Sequence, residues 1–150
     1  MLESITQELV SQSIDRFWEC IPSAWSHVRT NLNEIASENF DISYEQFTIL
    51  RHIRRGRKSI SELADVKQIS RPAISQSVDL LVDRGLISRK QNTQDRRWVE
   101  LELTQNGNEM LNTIYEKNGE WMEQKLSVLS QDELRFLLSG LEALKKTFDK

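Results

Sequence analysis

Residues 59–104 read SISELADVKQISRPAISQSVDLLVDRGLISRKQNTQDRRWVELELT. Within this stretch the spacing of apolar residues changes from helical to strand-like. Ser59-Ile60-Ser61-Glu62 has the form of a capping box, in which the serine accepts from the backbone three residues on and the glutamate reaches back. It predicts a short helix carrying Leu63, Ala64 and Val66. Ser70-Arg71-Pro72 predicts the start of another helix, with serine as cap and proline in the first turn, where its missing N–H costs nothing. Ile74, Val78, Leu81 and Val82 form that helix's apolar stripe, and Gly85 ends it. Beyond Gly85 the period falls to two. Residues 86–90 read as a strand, and residues 98–103 alternate, with Val99, Leu101 and Leu103 on one face. The polar segment 91–97 is then the tip of a β-hairpin.

The same reading extends outward. Ser43-Tyr44-Glu45-Gln46 is a second capping box and predicts a helix with Phe47, Ile49, Leu50 and Ile53 inward and Gly56 as its stop. Before it, Ile5, Leu9, Ile14, Phe17, Ile21, Val28, Leu32 and Ile35 recur at helical spacing. Pro22 falls inside this stripe and predicts a kink or a break. After the hairpin, Thr104 predicts the cap of a helix with Met110, Leu111, Ile114, Trp121, Met122 and Leu126. Ser130-Gln131-Asp132-Glu133 predicts the last helix, with Leu134, Leu137, Leu138, Leu141, Leu144 and Phe148. The expected fold is mainly α with a small β-hairpin wing (α+β). Residues 1–150 are expected to form a single domain, its central part about 43–104, flanked by helices over about 3–38 and 105–149.

Composition narrows the function. The chain has 150 residues, 38% hydrophobic and 29% charged, enough for one core and typical of a helix-rich protein. It contains no apolar run long enough to span a membrane and no signal-peptide pattern, so a cytoplasmic location is expected. The single cysteine, Cys20, excludes an intramolecular disulfide. His27 and His52 have no ligand-spaced partners, and no metal site, catalytic triad, phosphate-cradling loop or cofactor motif is recognisable, so an enzyme is not expected. The net charge of −3 hides an uneven distribution. Residues 50–100 hold twelve Lys or Arg against six Asp or Glu, whereas both flanks are net acidic. A basic middle third attracts polyanions whatever the total charge.

Two short helices followed by a two-stranded hairpin make a winged helix-turn-helix. The second helix of such a unit fits the major groove of duplex DNA and shows its N-terminal residues to base edges. Ile74 is expected to face the core, and Arg71, Ser75 and Gln76 to face outward. Arg pairs with a guanine edge and Gln with an adenine edge. Ser70, beside Pro72, is placed to meet a phosphate at the helix N-terminus. The hairpin tip Asp95-Arg96-Arg97 suits the backbone or a narrow minor groove, with Asp95 orienting Arg97.

The set Ser61-Glu62-Leu63-Ala64, then Ser70-Arg71-Pro72-Ala73-Ile74-Ser75, then Leu80-Leu81-Val82-Asp83-Arg84-Gly85-Leu86-Ile87, then Asp95-Arg96-Arg97 with Leu103-Thr104, resembles the MarR family of bacterial transcription regulators. The helix order on both sides matches as well. The resemblance implies a homodimer joined through its first and last helices, a pseudo-palindromic operator, and an Arg97 that reaches the minor groove. It also implies that the protein is a repressor released by a small aromatic or phenolic acid. Trp25, Tyr44 and Arg51 are the candidate ligand residues. Some relatives sense peroxides through a first-helix cysteine, which makes a redox switch at Cys20 an alternative. A protein-interaction module that has lost DNA binding is a third reading. Glu100 and Glu102 share a strand face, which reads as a solvated edge rather than an acid/base pair.

Overall fold

The computed structural model describes residues 2–91 and 99–148. In chain order these form α1 (Leu2–Phe40), α2 (Tyr44–Arg54), α3 (Ile60–Lys67), α4 (Arg71–Asp83), β1 (Ile87–Gln91), β2 (Val99–Leu103), α5 (Gln105–Leu126) and α6 (Gln131–Phe148). The chain divides into two compact units, residues 1–115 and 116–150.

The first unit contains the core. Its centre is Phe47, Ile49 and Leu50 of α2, Leu63 of α3, and Ile74, Val78 and Leu81 of α4, all fully buried. Ile42, Ile87, Leu101, Leu111 and Ile114 close it from the other elements. The helix ends follow from local chemistry. Ser43 Oγ accepts from the Gln46 N–H while the Gln46 side chain accepts from the Ser43 N–H, a reciprocal box that satisfies two end groups at once. Ser59 and Glu62 repeat the device at α3. Gly56 stops α2 at φ 91° and Gly85 follows α4 at φ 68°, a region that suits glycine. Arg84 then fastens the end of α4 to the end of α1, donating to the Phe40 carbonyl at 2.6 Å and to the Asp41 carbonyl.

The strands pair antiparallel, with Ile87 opposite Leu103, Arg89 opposite Leu101 and Gln91 opposite Val99. The Leu101 N–H also donates to the Lys58 carbonyl at 2.8 Å, tying the segment before α3 to β2. Thr104 links hairpin and α5: its Oγ1 donates to the Gly85 carbonyl at 2.6 Å and accepts from the Gly107 N–H at 3.1 Å. Gly107 is required by close approach, because a Cβ there would lie 2.2 Å from the Leu86 carbonyl oxygen.

Three expectations change. Pro22 does not break α1, which runs through it for 39 residues. The proline removes one ladder donor, and in this exposed stretch water can serve the freed carbonyl. Val99 is half exposed, so only Leu101 and Leu103 of its alternating set face the core. The α1 stripe is not uniform either. Leu32 and Ile35 are buried, whereas Ile5, Leu9 and Ile14 lie in the open.

The second unit holds the end of α5 and all of α6. Ser130 and Glu133 form the third capping box. No residue of α6 is buried: Phe136, Leu137, Leu138, Leu141 and Phe148 are all exposed. Among the described residues, no helix is long and apolar enough to cross a membrane.

Candidate nucleic-acid interface

The interface is built on α4. Ile74, Val78 and Leu81, at spacings of four and three, turn one face into the core. Arg71 and Gln76 lie on the open side and Ser75 is half-buried beside them. Ser70 is the N-cap and is exposed, but its side chain makes no cap hydrogen bond. Pro72 in the first turn removes one of the end donors. The hydroxyl of Ser70 and the remaining free N–H groups of the first turn are therefore uncommitted, and carry the positive end of the helix dipole.

The connection that presents α4 is short. Lys67 ends α3, Gln68 adopts a left-handed conformation at φ 54°, and Ile69 donates to the Ala64 carbonyl at 3.2 Å. Lys67 is itself nearly buried. Its ammonium lies 2.8 Å from the Glu45 carboxylate and donates to Thr48 Oγ1, so both α2 partners hold the C-terminal end of α3. A lysine charge so enclosed needs such partners.

The hairpin is fixed to the same frame. Arg89 of β1 pairs with Asp79 of α4, one turn beyond Ser75 and Gln76. Lys90 approaches Glu102 across the strands, and Lys58, from the segment before α3, approaches Glu100, each at 3.5 Å. The glutamate pair on β2 is thus part of a charged edge. Asp95, Arg96, Arg97 and Trp98, expected at or next to the wing tip, lie outside the described residues.

A second cationic feature was not singled out in the sequence. The end of α2 and the turn after it carry Arg51, Arg54, Arg55, Arg57 and Lys58, with no acidic residue between Glu45 and Glu62. A simple count of charges per window finds it. The turn curls back on the helix, with the Arg57 N–H donating to the His52 carbonyl at 3.0 Å and Gly56 to Ile53 at 2.9 Å. Arg54 is committed to Asn112 Oδ1 at 2.8 Å and to the face of Tyr115. Burial and the nearby charges of Arg51, Lys67, Arg55 and Arg57 hold the His52 imidazole below its ordinary pKa. For Glu62, burial pushes the carboxyl up, but hydrogen bonds from the Ser59 side chain and the backbone of Lys58 and Ser59, with the Arg57 charge, outweigh it and leave the pKa lowered.

Residues 40–97 match the sequence profile of the MarR family. The chain is 31% identical over 115 residues to the uncharacterized HTH-type transcriptional regulator YhbI of Bacillus subtilis, covering 74% of this chain and 75% of YhbI. This chain belongs to the MarR family. YpoP, another uncharacterized HTH-type transcriptional regulator of B. subtilis, is 28% identical over 81% of this chain and 86% of its own length. Wild-type apo MarR from E. coli superposes with a TM-score of 0.71 at 26% identity, over 84% of this chain and 93% of MarR. The winged helix-turn-helix assignment and the mainly helical fold with its hairpin therefore stand, and the protein is a DNA-binding transcription regulator of the MarR family.

The structure distributes the other predicted residues of this MarR-family chain unevenly. An open cleft of about 370 Å³ lies between α1 and the start of α2, lined by Ser26, Arg29, Thr30, Asn33 and Tyr44. Of the three ligand candidates only Tyr44 lines it. Trp25 is half exposed on α1, and Arg51 is half-buried on α2, its Nε without a hydrogen bond among the described residues. The cation at the cleft is Arg29, whose guanidinium stacks 5.1 Å from the Tyr44 ring centre. Arg29 was missed because an isolated arginine on a long helix carries no local signal. Cys20 is exposed on α1. It precedes Arg29 by nine residues, about 13 Å along the helix axis, so within one chain Tyr44 does not adjoin it.

Proposed function

We propose that the protein is a homodimeric repressor that occupies an inverted-repeat operator through two copies of α4. The observation that carries this reading is the N-terminal turn of α4: exposed Arg71 and Gln76, with half-buried Ser75 between them, beside an uncommitted Ser70 cap. Arg71 and Gln76 read base edges, Ser75 supports them, and Ser70 and Pro72 set the helix end against a phosphate. Arg97, oriented by Asp95 and flanked by Arg96, extends the contact from the wing into the minor groove. The dimer is supported by the open apolar faces of α1 and α6, which a second copy would cover. Two-fold symmetry sets the recognition helices about one DNA turn apart (~34 Å). Bound at a promoter, such a dimer blocks access by occupancy.

The signal proposed is a small aromatic or phenolic acid in the cleft beside Tyr44, its carboxylate meeting Arg29. Binding there would shift the equilibrium between arrangements of the two α4 helices, provided the ligand favours the DNA-free one. Substituting Gln76→Ala or Arg71→Ala tests the base-reading assignment. Each is expected to relax preference at one operator position by about 1–3 kcal/mol while leaving thermal unfolding unchanged. An unaltered preference in both variants would remove α4 from the reading. Release by peroxide that persists in Cys20→Ser would remove the redox alternative, and failure of the wild-type protein to bind any duplex would favour the interaction module.

A further inference from the structure

We propose that the basic turn at the end of α2, through Arg55 and Arg57, is a second DNA contact that grips backbone phosphates beside the helix-turn-helix without reading sequence. The inference rests on the DNA-binding function of the family and adds a site to it. Four observations support it together.

The first is position. The turn leads directly into α3, the first helix of the helix-turn-helix, and that helix crosses the DNA backbone when its partner enters the major groove. The Leu101–Lys58 hydrogen bond holds the same turn against β2 of the wing. The turn therefore sits at the junction of the two elements that approach DNA.

The second is availability. Arg54 and Lys58 already have partners in Asn112, Tyr115 and Glu100. Arg55 and Arg57 are exposed, and neither makes a side-chain hydrogen bond or ion pair among the described residues. The Arg57 charge acts on Glu62, but that carboxylate is occupied by Ser59 and by the Lys58 and Ser59 N–H groups.

The third is the identity of the acceptor. At the α3 N-terminus the Lys58, Ser59 and Glu62 N–H groups are already taken, and the Glu62 carboxylate stands there, which disfavours a second anion on that helix end. A phosphate at this place is met by side chains, and guanidinium groups suit its oxygens in bidentate fashion.

The fourth is electrostatic. Arg51, Arg55 and Arg57 from the α2 end and Lys67 from α3 all repel a proton on His52, with Glu45 neutralising only Lys67. A cluster of like charge whose neighbouring carboxylates, Glu45 and Glu62, are already committed to Lys67 and to the α3 cap is a site that a further anion relieves. A bound phosphate would offset the arginines, and His52 would then take a proton more readily. Binding is thus linked to proton uptake, and affinity increases as pH falls through the His52 range.

The test compares wild-type protein with Arg55→Gln/Arg57→Gln on two labelled duplexes, one carrying the selected operator and one of scrambled sequence. The double variant is expected to lose affinity by the same factor on both, and its plot of log affinity against log salt should flatten by about one for each arginine. Arg57→Lys, which keeps the charge, should keep the slope. Arg135→Gln, on α6 and paired with Asp132, should also keep it. Because the chain has only two histidines, the proton resonances of His52 can be followed individually. His52 should titrate at higher pH when the scrambled duplex is bound. An unchanged salt slope in the double variant overturns the proposal, as does a loss confined to the operator. A wild-type protein that binds neither duplex would overturn the DNA-binding function itself, which is a separate failure.

Discussion

The segment from α2 to the middle of α5 and the helix α6 have similar apolar content but opposite fates. In the first, Phe47, Leu50, Leu63, Ile74, Leu81 and Leu111 meet one another and are fully buried. In the second, Leu138 is 62% exposed and Phe136 76% exposed. The first half of α1 resembles α6 in this, and Trp18 is 69% exposed there. The helix-turn-helix and hairpin thus share one core with α2, the end of α1 and the start of α5, while α6 and the first half of α1 carry apolar faces that are exposed in the single chain. Exposed patches of that kind mark contact surfaces. The difference fits the two proposed tasks, DNA reading by the packed region and assembly through the exposed faces.

Damage to each region in turn should have different consequences. Leu81→Ala removes a side chain at the centre of the first region and should cost about 2–5 kcal/mol in denaturant unfolding. A cost under 1 kcal/mol would mean the region is not the tightly packed half. Leu138→Asp with Leu141→Asp should instead act on assembly. Sedimentation is expected to give the mass of one chain where the wild-type protein gives two, and dependence of unfolding on protein concentration should vanish. An unchanged mass would show that α6 is not the joining surface.

A smaller effect is expected at the α3 cap. Ser59→Ala should cost about 1 kcal/mol, and it removes a hydrogen bond that lowers the Glu62 pKa. A carboxyl with a lowered folded pKa adds stability above its unfolded value, near 4.5, and that stability is lost as pH falls through the folded value. The wild-type protein should therefore lose part of its margin in the acid range below about 4.5, and Ser59→Ala should lose less there. Equal acid sensitivity in the two would contradict the role given to the capping box.

Much of this was legible in the residues. Ser43, Ser59 and Ser130 declare three helix starts because a capping box uses only neighbours in sequence. The two strands of the hairpin and the α4 core face follow from periods of two and 3.6, although Val99 left the face expected of it. Long-range partners were not legible. Nothing local in Arg84 announces that it will hold the end of α1, nor in Lys67 that it will be enclosed by Glu45 and Thr48. The same is true of the cleft, where Tyr44 was picked out as an aromatic and Arg29 was not, since only the approach of α1 to α2 brings them together. The passage of α1 through Pro22 went against a local rule because a long helix on either side sustains the turn.

In the proposed mode of binding, two copies of α4 read DNA as a symmetric pair. Selection of bound duplexes from a random pool tests it most directly. An enriched inverted repeat is expected, with half-sites about one helical turn apart. A non-symmetric motif, or no enrichment, would contradict it.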